Sequence, residues 1–132
     1  MTPFLFVYGT LQPGAQSDLG ARERTRLKAD GVFLGPALAQ GILLDLGGYP
    51  GMMQGAGSVH GGIYKLHVPE SVFAWLDLYE GINGTPNDEY CRREIEVTRE
   101  GGAQISAYAY LILKTSDAIP AIPSGRWNAS SL

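Results

Sequence analysis

The stretch FLFVYGTLQPG, residues 4–14, begins as an apolar strand and ends within a few residues in a loop. Aromatic and β-branched side chains at 4–8 favour a buried strand. Gly9 follows this run at once, and glycine permits either a positive φ or a close approach of backbone N–H groups to an anion. The residues alone leave two interpretations open: a strand-ending turn with Tyr8 packed in the core, or a loop that holds a carboxylate or an oxyanion.

Four later segments also have the character of β-strands, namely residues 41–46, 58–66, 90–97 and 104–113. The last two form the clearest hairpin, because Cys91, Ile95 and Val97 share one apolar face. The opposite face, which includes Tyr90, is polar. We therefore expect Cys91 to be an inert packing residue. The glycines clustered in residues 46–62 indicate loops.

Two segments are predicted to be helical. Residues 17–30 are polar and only weakly amphipathic, so we expect that helix to lie on the surface. Residues 69–81 carry stronger signals, with Pro69 in the first turn and Gly81 just beyond the end. The apolar stripe of this helix consists of Val72, Trp75, Leu76 and Tyr79. Several short strands with two helices predict one α+β domain over residues 1–132, built on a strongly curled sheet or a small barrel.

Composition argues against several classes of protein. The net charge of -3, with 10 basic and 13 acidic residues, gives no broad positive field, so we expect no nucleic-acid partner. No apolar run approaches the roughly 20 residues that cross a bilayer, and the opening residues lack the basic segment of a secretory signal. We therefore expect a cytoplasmic protein with no membrane partner. Its two histidines, His60 and His67, and its single cysteine do not make a convincing metal site.

Glu80 closes the predicted helix, where it meets the negative end of the helix dipole. Burial beside Tyr79 would raise the pKa of this carboxyl toward the range of a proton-transfer group. Asp77, one turn earlier, either strengthens that effect through its like charge or bonds locally. The alternative is a glutamate that is simply solvated, as most glutamates near helix ends are.

Motifs spread along nearly the whole chain connect these residues. They are VYGTL, GGYPGM, VHGGIYKL, LDLYEG, EYCRREIEV and IPSGRW. In this order they resemble the gamma-glutamyl cyclotransferase-like family, and the resemblance implies a small mixed β-barrel with peripheral helices. The chain departs from the family pattern twice. It has Gly61-Gly62-Ile63-Tyr64 where the family often has Gly-Glu-x-Tyr, and Arg126-Trp127 where the family has Asp-Trp.

The resemblance also implies an activity, the cyclisation of a gamma-glutamyl group to 5-oxoproline with release of an amine or amino acid. In that interpretation Glu80 is the catalytic proton-transfer group. The residues that bind the small-molecule substrate are Tyr8, Gly9, Thr10 and Leu11. No metal or organic cofactor is implied, and we expect a monomer or weak homodimer.

Weaker candidates for the rim of the pocket are Tyr49, Tyr64, Tyr110 and Arg92, each of which also has a structural interpretation. The alternative function is a non-catalytic module on the same fold that binds a small ligand or a partner. A Glu80 that faces bulk solvent favours this module. A Glu80 in a cavity bordered by residues 9–11 favours the enzyme.

Overall fold

The structure is a computed structural model that describes residues 1–15 and 18–127. These residues form five strands and two helices, joined by loops. In chain order they are β1 (Phe4–Val7), α1 (Ala21–Asp30), β2 (Gly31–Asp45), β3 (Pro50–Leu66), α2 (Pro69–Tyr79), β4 (Tyr90–Arg99) and β5 (Gln104–Ile112). The described residues hold no helix that is long and apolar enough to span a membrane.

The strands close into a barrel in the order β1-β3-β2-β4-β5. The barrel is mixed, because β1 pairs antiparallel with β3 but closes against β5 in parallel, with Leu5 opposite Tyr108. The other three pairs are antiparallel. The predicted α+β fold is confirmed, and the sheet is a closed barrel rather than an open curled sheet.

Two apolar clusters fill the molecule, and β1 contributes to both. Successive residues of a strand point to opposite faces. Phe6 and Tyr8 accordingly belong to a cluster that draws on all five strands and fills the barrel. Leu5 and Val7 belong to a second cluster, which lies between the barrel and the two helices. Cys91 packs against the barrel cluster, as predicted.

The glycine-rich stretch 46–62 is mostly strand: it is a loop at 46–49, as predicted, but the prediction of a loop was wrong for residues 50–57. Residues from Pro50 onward belong to β3, which pairs with β2 along nearly its whole length. Glycine is needed where neighbouring strands crowd: a Cβ on Gly57 would lie 2.8 Å from the carbonyl oxygen of Gly41. A Cβ on Gly61 would overlap the carbonyl oxygen of Val7 in β1. Close strand packing, which local sequence does not show, decides these positions.

The predicted elements need further corrections. Segment 41–46 is only the end of the much longer β2, and segment 58–66 is the second half of β3. The first helix begins at Ala21 rather than at 17, and residues 16 and 17 lie outside the described residues. This helix is less superficial than expected, because Leu27 and Arg24 are buried.

The buried face of α2 also differs from the predicted stripe. Phe73 is buried with Val72 and Leu76, whereas Tyr79 is 36% exposed. Tyr90 was predicted to lie on the polar face of β4, but it is buried, because it belongs to the second cluster, under the helices. The predicted alternation within β4 is correct, but its second face is partly covered by α2 instead of by water.

We predict that Gly61→Ala lowers the free energy of unfolding by about 1–3 kcal/mol. The added methyl group meets the Val7 carbonyl and the Phe6 ring, and neither can move without separating β1 from β3. Gly14→Ala is the matched control, because a Cβ on Gly14 would have no neighbour within 4 Å and its effect should stay within about 0.5 kcal/mol. Urea denaturation of the two variants checks this, and equal midpoints would contradict it.

Candidate active site

A cavity of about 480 Å³ opens where β1 ends and α2 ends. All five residues predicted for the site line it, namely Tyr8, Gly9, Thr10, Leu11 and Glu80. Of the weaker candidates, Tyr49 and Tyr110 also line the cavity. Tyr64 is fully buried elsewhere in the core, and Arg92 is not among the cavity residues. Sequence reasoning missed Leu19, Pro50, Asn87, Glu89 and Tyr90 as cavity residues.

Gly9 is required by crowding at the cavity wall. Its φ is not positive, so the strand does not end in a left-handed turn. Instead, a Cβ at this position would lie 2.6 Å from Cγ of Pro50 and 3.1 Å from its Cδ. The Gly9 carbonyl accepts a hydrogen bond of 3.1 Å from the N–H of Gln12, which closes a tight turn. A turn therefore follows the strand and Tyr8 is buried, as in the first interpretation, whereas the approach of backbone N–H groups to an anion stays a prediction.

The turn after β1 leaves backbone donors available at the cavity. Among the described residues, none accepts a hydrogen bond from the N–H groups of residues 9–11. The Thr10 carbonyl is engaged, because Arg24 Nη1 donates to it at 2.7 Å. Arg24 is buried, so its positive charge polarises the peptide that joins Thr10 to Leu11 and strengthens the Leu11 N–H as a donor. The turn is therefore suited to an anionic group.

Tyr8 forms part of the wall rather than offering a free hydroxyl. Its hydroxyl donates to the Tyr110 carbonyl at 2.6 Å and accepts from the Met52 N–H at 3.2 Å. Burial raises the pKa of Tyr8 well above its usual value, and the nearby Glu80 charge adds to this. The phenol therefore stays protonated and fixes the start of the turn.

Glu80 occupies the C-cap of α2, and the helix end is closed by a specific pattern of hydrogen bonds. The Gly81 N–H donates to the Leu78 carbonyl at 3.0 Å, and the Ile82 N–H donates to the Asp77 carbonyl at 2.9 Å. Gly81 has a φ of 78°, the left-handed conformation that this Schellman motif requires. The prediction that Gly81 lies just beyond the helix end is correct, and this glycine fixes the backbone of Glu80.

The Glu80 carboxyl is half-buried and titrates near neutral pH. Burial, together with the negative charges of Glu89 and Asp77, raises its pKa from 4.5 to about 7. A carboxyl with this pKa is present in both protonation states at neutral pH. It is therefore suited to accepting and returning a proton.

The two neighbouring carboxylates each have a protein partner. Asp77 accepts from Arg92 Nε at 3.0 Å and from the Tyr110 hydroxyl at 2.6 Å. Glu89 accepts from the Tyr49 hydroxyl at 3.1 and 3.0 Å. Both alternatives for Asp77 therefore hold, since it bonds locally and also raises the pKa of Glu80.

The described residues contain no group of three or more His, Cys, Asp or Glu side chains placed to hold a metal ion. The pKa of His60 is lowered by burial and by the charge of Arg126. Gly62 and Arg126 are the two positions at which the motifs depart from the pattern described above. At Gly62, the Phe33 ring occupies the space that a side chain would need, because a Cβ there would overlap it.

Comparison with known proteins identifies the family. Residues 5–129 match the model of the family described as gamma-glutamyl cyclotransferase, AIG2-like, and the chain belongs to that family. The gamma-glutamylcyclotransferase family protein YtfP of Escherichia coli K12 is 35% identical over 123 residues, which cover 93% of this chain and 94% of YtfP.

Two solved structures share the fold. An AIG2-like protein from mouse superposes with a TM-score of 0.68 at 22% identity, over 96% of this chain and 94% of the mouse chain. YkqA from Bacillus subtilis gives a TM-score of 0.67 at 24% identity over 96% of this chain. The present chain spans only 40% of the length of YkqA.

We predict that Glu80 makes the protein less stable as the pH rises from 4.5 to about 7. Over this interval the folded state keeps a proton on Glu80 that the unfolded state has released, so the slope of stability against pH is negative. Glutamine does not titrate, so the stability of Glu80→Gln relative to the wild type should increase with pH across the same interval. Urea denaturation of both proteins over a pH series measures the difference, and a difference that does not change with pH would contradict the assigned pKa.

Proposed function

We propose that this chain is a gamma-glutamyl cyclotransferase that converts a gamma-glutamyl group into 5-oxoproline. The α-amino nitrogen of the substrate attacks its own γ-carbonyl carbon, a new C–N bond closes a five-membered ring, and the C–N bond to the leaving amine breaks. The α-ammonium loses one proton to become a nucleophile, and its nitrogen loses a second when the ring amide forms. One of these two protons is delivered to the departing nitrogen, and the other passes to solvent or leaves on the released amine as its ammonium form. Because nucleophile and electrophile share one molecule, the reaction needs positioning and proton transfer rather than a metal or organic cofactor.

The observation that carries the proposal is the meeting of Glu80 with residues 9–11 at one cavity. Glu80, with a pKa of about 7, accepts the proton from the α-ammonium and returns it to the leaving nitrogen. The cavity is large enough for a small substrate, since ligand pockets span about 300–1,000 Å³. A Glu80 that lines this cavity supports the enzyme over a binding module, for which we expected a solvated Glu80.

Residues 8–11 supply the anion-binding part of the proposed site. The backbone N–H groups of residues 9–11, which no described residue uses as donors, bind either the α-carboxylate of the substrate or the oxyanion that develops on the γ-carbonyl. Tyr8 shapes the wall, because its hydroxyl is held by Tyr110 and Met52. Arg24 supports the turn from beneath through the Thr10 carbonyl.

We predict that Glu80→Gln lowers kcat by about 10²- to 10⁴-fold, the usual contribution of a positioned acid–base group, with little change in the Kd of the substrate. Glutamine keeps the volume of the side chain but cannot carry the proton. Release of 5-oxoproline from glutathione, gamma-glutamyl amino acids and gamma-glutamyl amines measures turnover.

The matched control for that experiment is Glu70→Gln, in the exposed first turn of the same helix. It should keep the kcat of the wild type. Nearly full kcat in Glu80→Gln would show that another group transfers the proton. A wild type that binds these compounds but releases no 5-oxoproline would favour the binding module.

We also predict that Gly9→Val abolishes substrate binding. The Cβ of valine would overlap the Pro50 ring at the cavity wall and force the turn away from its position. Isothermal titration with a substrate of the wild type measures the affinity. Gly14→Val serves as control, because its side chain meets open space. An unchanged Kd in Gly9→Val would remove this turn from the binding site.

A further inference from the structure

Tyr110 lies between the two halves of the proposed site and bonds to both. Its backbone carbonyl accepts the hydroxyl of Tyr8 at 2.6 Å, at the start of the turn after β1. Its own hydroxyl donates to Asp77 Oδ1 at 2.6 Å, in the last turn of α2. One residue of β5 therefore connects the proposed anion-binding turn to the helix that carries Glu80.

Asp77 receives further restraints that fix this last turn. Arg92 donates to both of its carboxylate oxygens, from Nε at 3.0 Å and from Nη2 at 3.2 Å, in the bidentate geometry that gives directional strength. The guanidinium group is itself held, because its carbon lies 4.1 Å from the centre of the Phe73 ring and 4.8 Å from that of Tyr108. The carbonyl of Asp77 also closes the Schellman motif by accepting from Ile82.

Glu80 has no comparable restraint on its own side chain. Among residues 1–15 and 18–127, none donates a hydrogen bond to the Glu80 carboxylate, whereas both neighbouring carboxylates have donors. Among the hydrogen bonds of the described residues, those that restrain Glu80 belong to the backbone of the helix end. The backbone of that end is located in turn by the side chain and carbonyl of Asp77.

We propose that Asp77 and Tyr110 are positioning residues, which hold the Glu80 carboxyl in register with the turn at residues 8–11. This inference rests on the proposed function for its catalytic consequence, but its structural part does not. Asp77 fixes the last turn of the helix, because its carboxylate accepts a hydrogen bond from Tyr110. Tyr110 in turn accepts a hydrogen bond from Tyr8, so the helix end and the turn keep a constant separation. Arg92 orients the Asp77 carboxylate through its two hydrogen bonds.

Asp77 also contributes to the charge around Glu80, which gives the proposal a direct readout. The charged groups that raise the pKa of Glu80 are Glu89, from the segment before β4, and Asp77, from its own helix. The phenols near Glu80 are those of Tyr8 just after β1, Tyr79 in α2, Tyr90 in β4 and Tyr110 in β5. Burial raises the pKa of each, so they stay neutral. Arg92 is paired with Asp77.

The test compares the wild type with Asp77→Asn and Tyr110→Phe, each close to isosteric with the residue it replaces. The first readout is an NMR titration of the Glu80 carboxyl carbon in ¹³C-labelled protein, with the signal assigned from its loss in Glu80→Gln. In Asp77→Asn we expect the midpoint to move to lower pH, because a like charge is removed and Arg92 is left unpaired. The second readout is turnover, where Tyr110→Phe should lower kcat about 10- to 100-fold through misplacement of Glu80.

Asp30→Asn is the matched control, because Asp30 also accepts a side-chain hydrogen bond, from Trp75 Nε1 at 3.2 Å, but does not line the cavity. It should leave the Glu80 midpoint and kcat unchanged. An unmoved midpoint in Asp77→Asn together with wild-type kcat in Tyr110→Phe would overturn the proposal, as would equal losses in the control. If the wild type releases no 5-oxoproline, the proposed function fails, and the NMR titration alone then decides for or against Asp77.

Discussion

The pairing of one short strand with two neighbours is the constraint on which the rest of the structure depends. β1 lies between β3 and β5, and without it the barrel is open. Its alternate side chains enter the barrel core and the layer under the helices, so both clusters are tied to the same four residues. The cavity lies where this strand ends. Barrel closure, core packing and site construction are thus consequences of the same pairing.

Within the cavity region, three carboxyl groups lie close together and differ chiefly in their partners. Asp77 forms an ion pair with Arg92 and accepts a hydrogen bond from the Tyr110 hydroxyl, and Glu89 accepts one from the Tyr49 hydroxyl. Glu80 receives no such donor among the described residues, and its pKa rises to about 7. Burial is the largest cause of this rise, and the negative charges of Glu89 and Asp77 add to it. Asp77 and Glu89 are thus held by hydrogen bonds, and their charges favour the protonated form of Glu80.

Local signals in the sequence predicted the features that depend on local geometry. Pro69 and Gly81 bound α2 correctly, and the run before Gly9 is a core strand. Only parts of the long strands β2 and β3 were predicted, at 41–46 and 58–66, because glycines such as Gly57 resemble loop residues and are required only by the close approach of neighbouring strands. Tyr90 and Glu89 were missed as cavity residues because only the tertiary structure brings them beside the end of α2. The catalytic assignment of Glu80 stays a prediction.

The bond between Tyr8 and Tyr110 joins residues 102 positions apart. A ribosome releases a chain from its N-terminal end, so the first strand of this protein emerges long before the strand beside which it must lie. Contacts of such long range fold slowly because the intervening chain must first be ordered. During synthesis, the turn that follows β1 therefore has no complete cavity to border. The cavity is therefore complete only after β5 has been made.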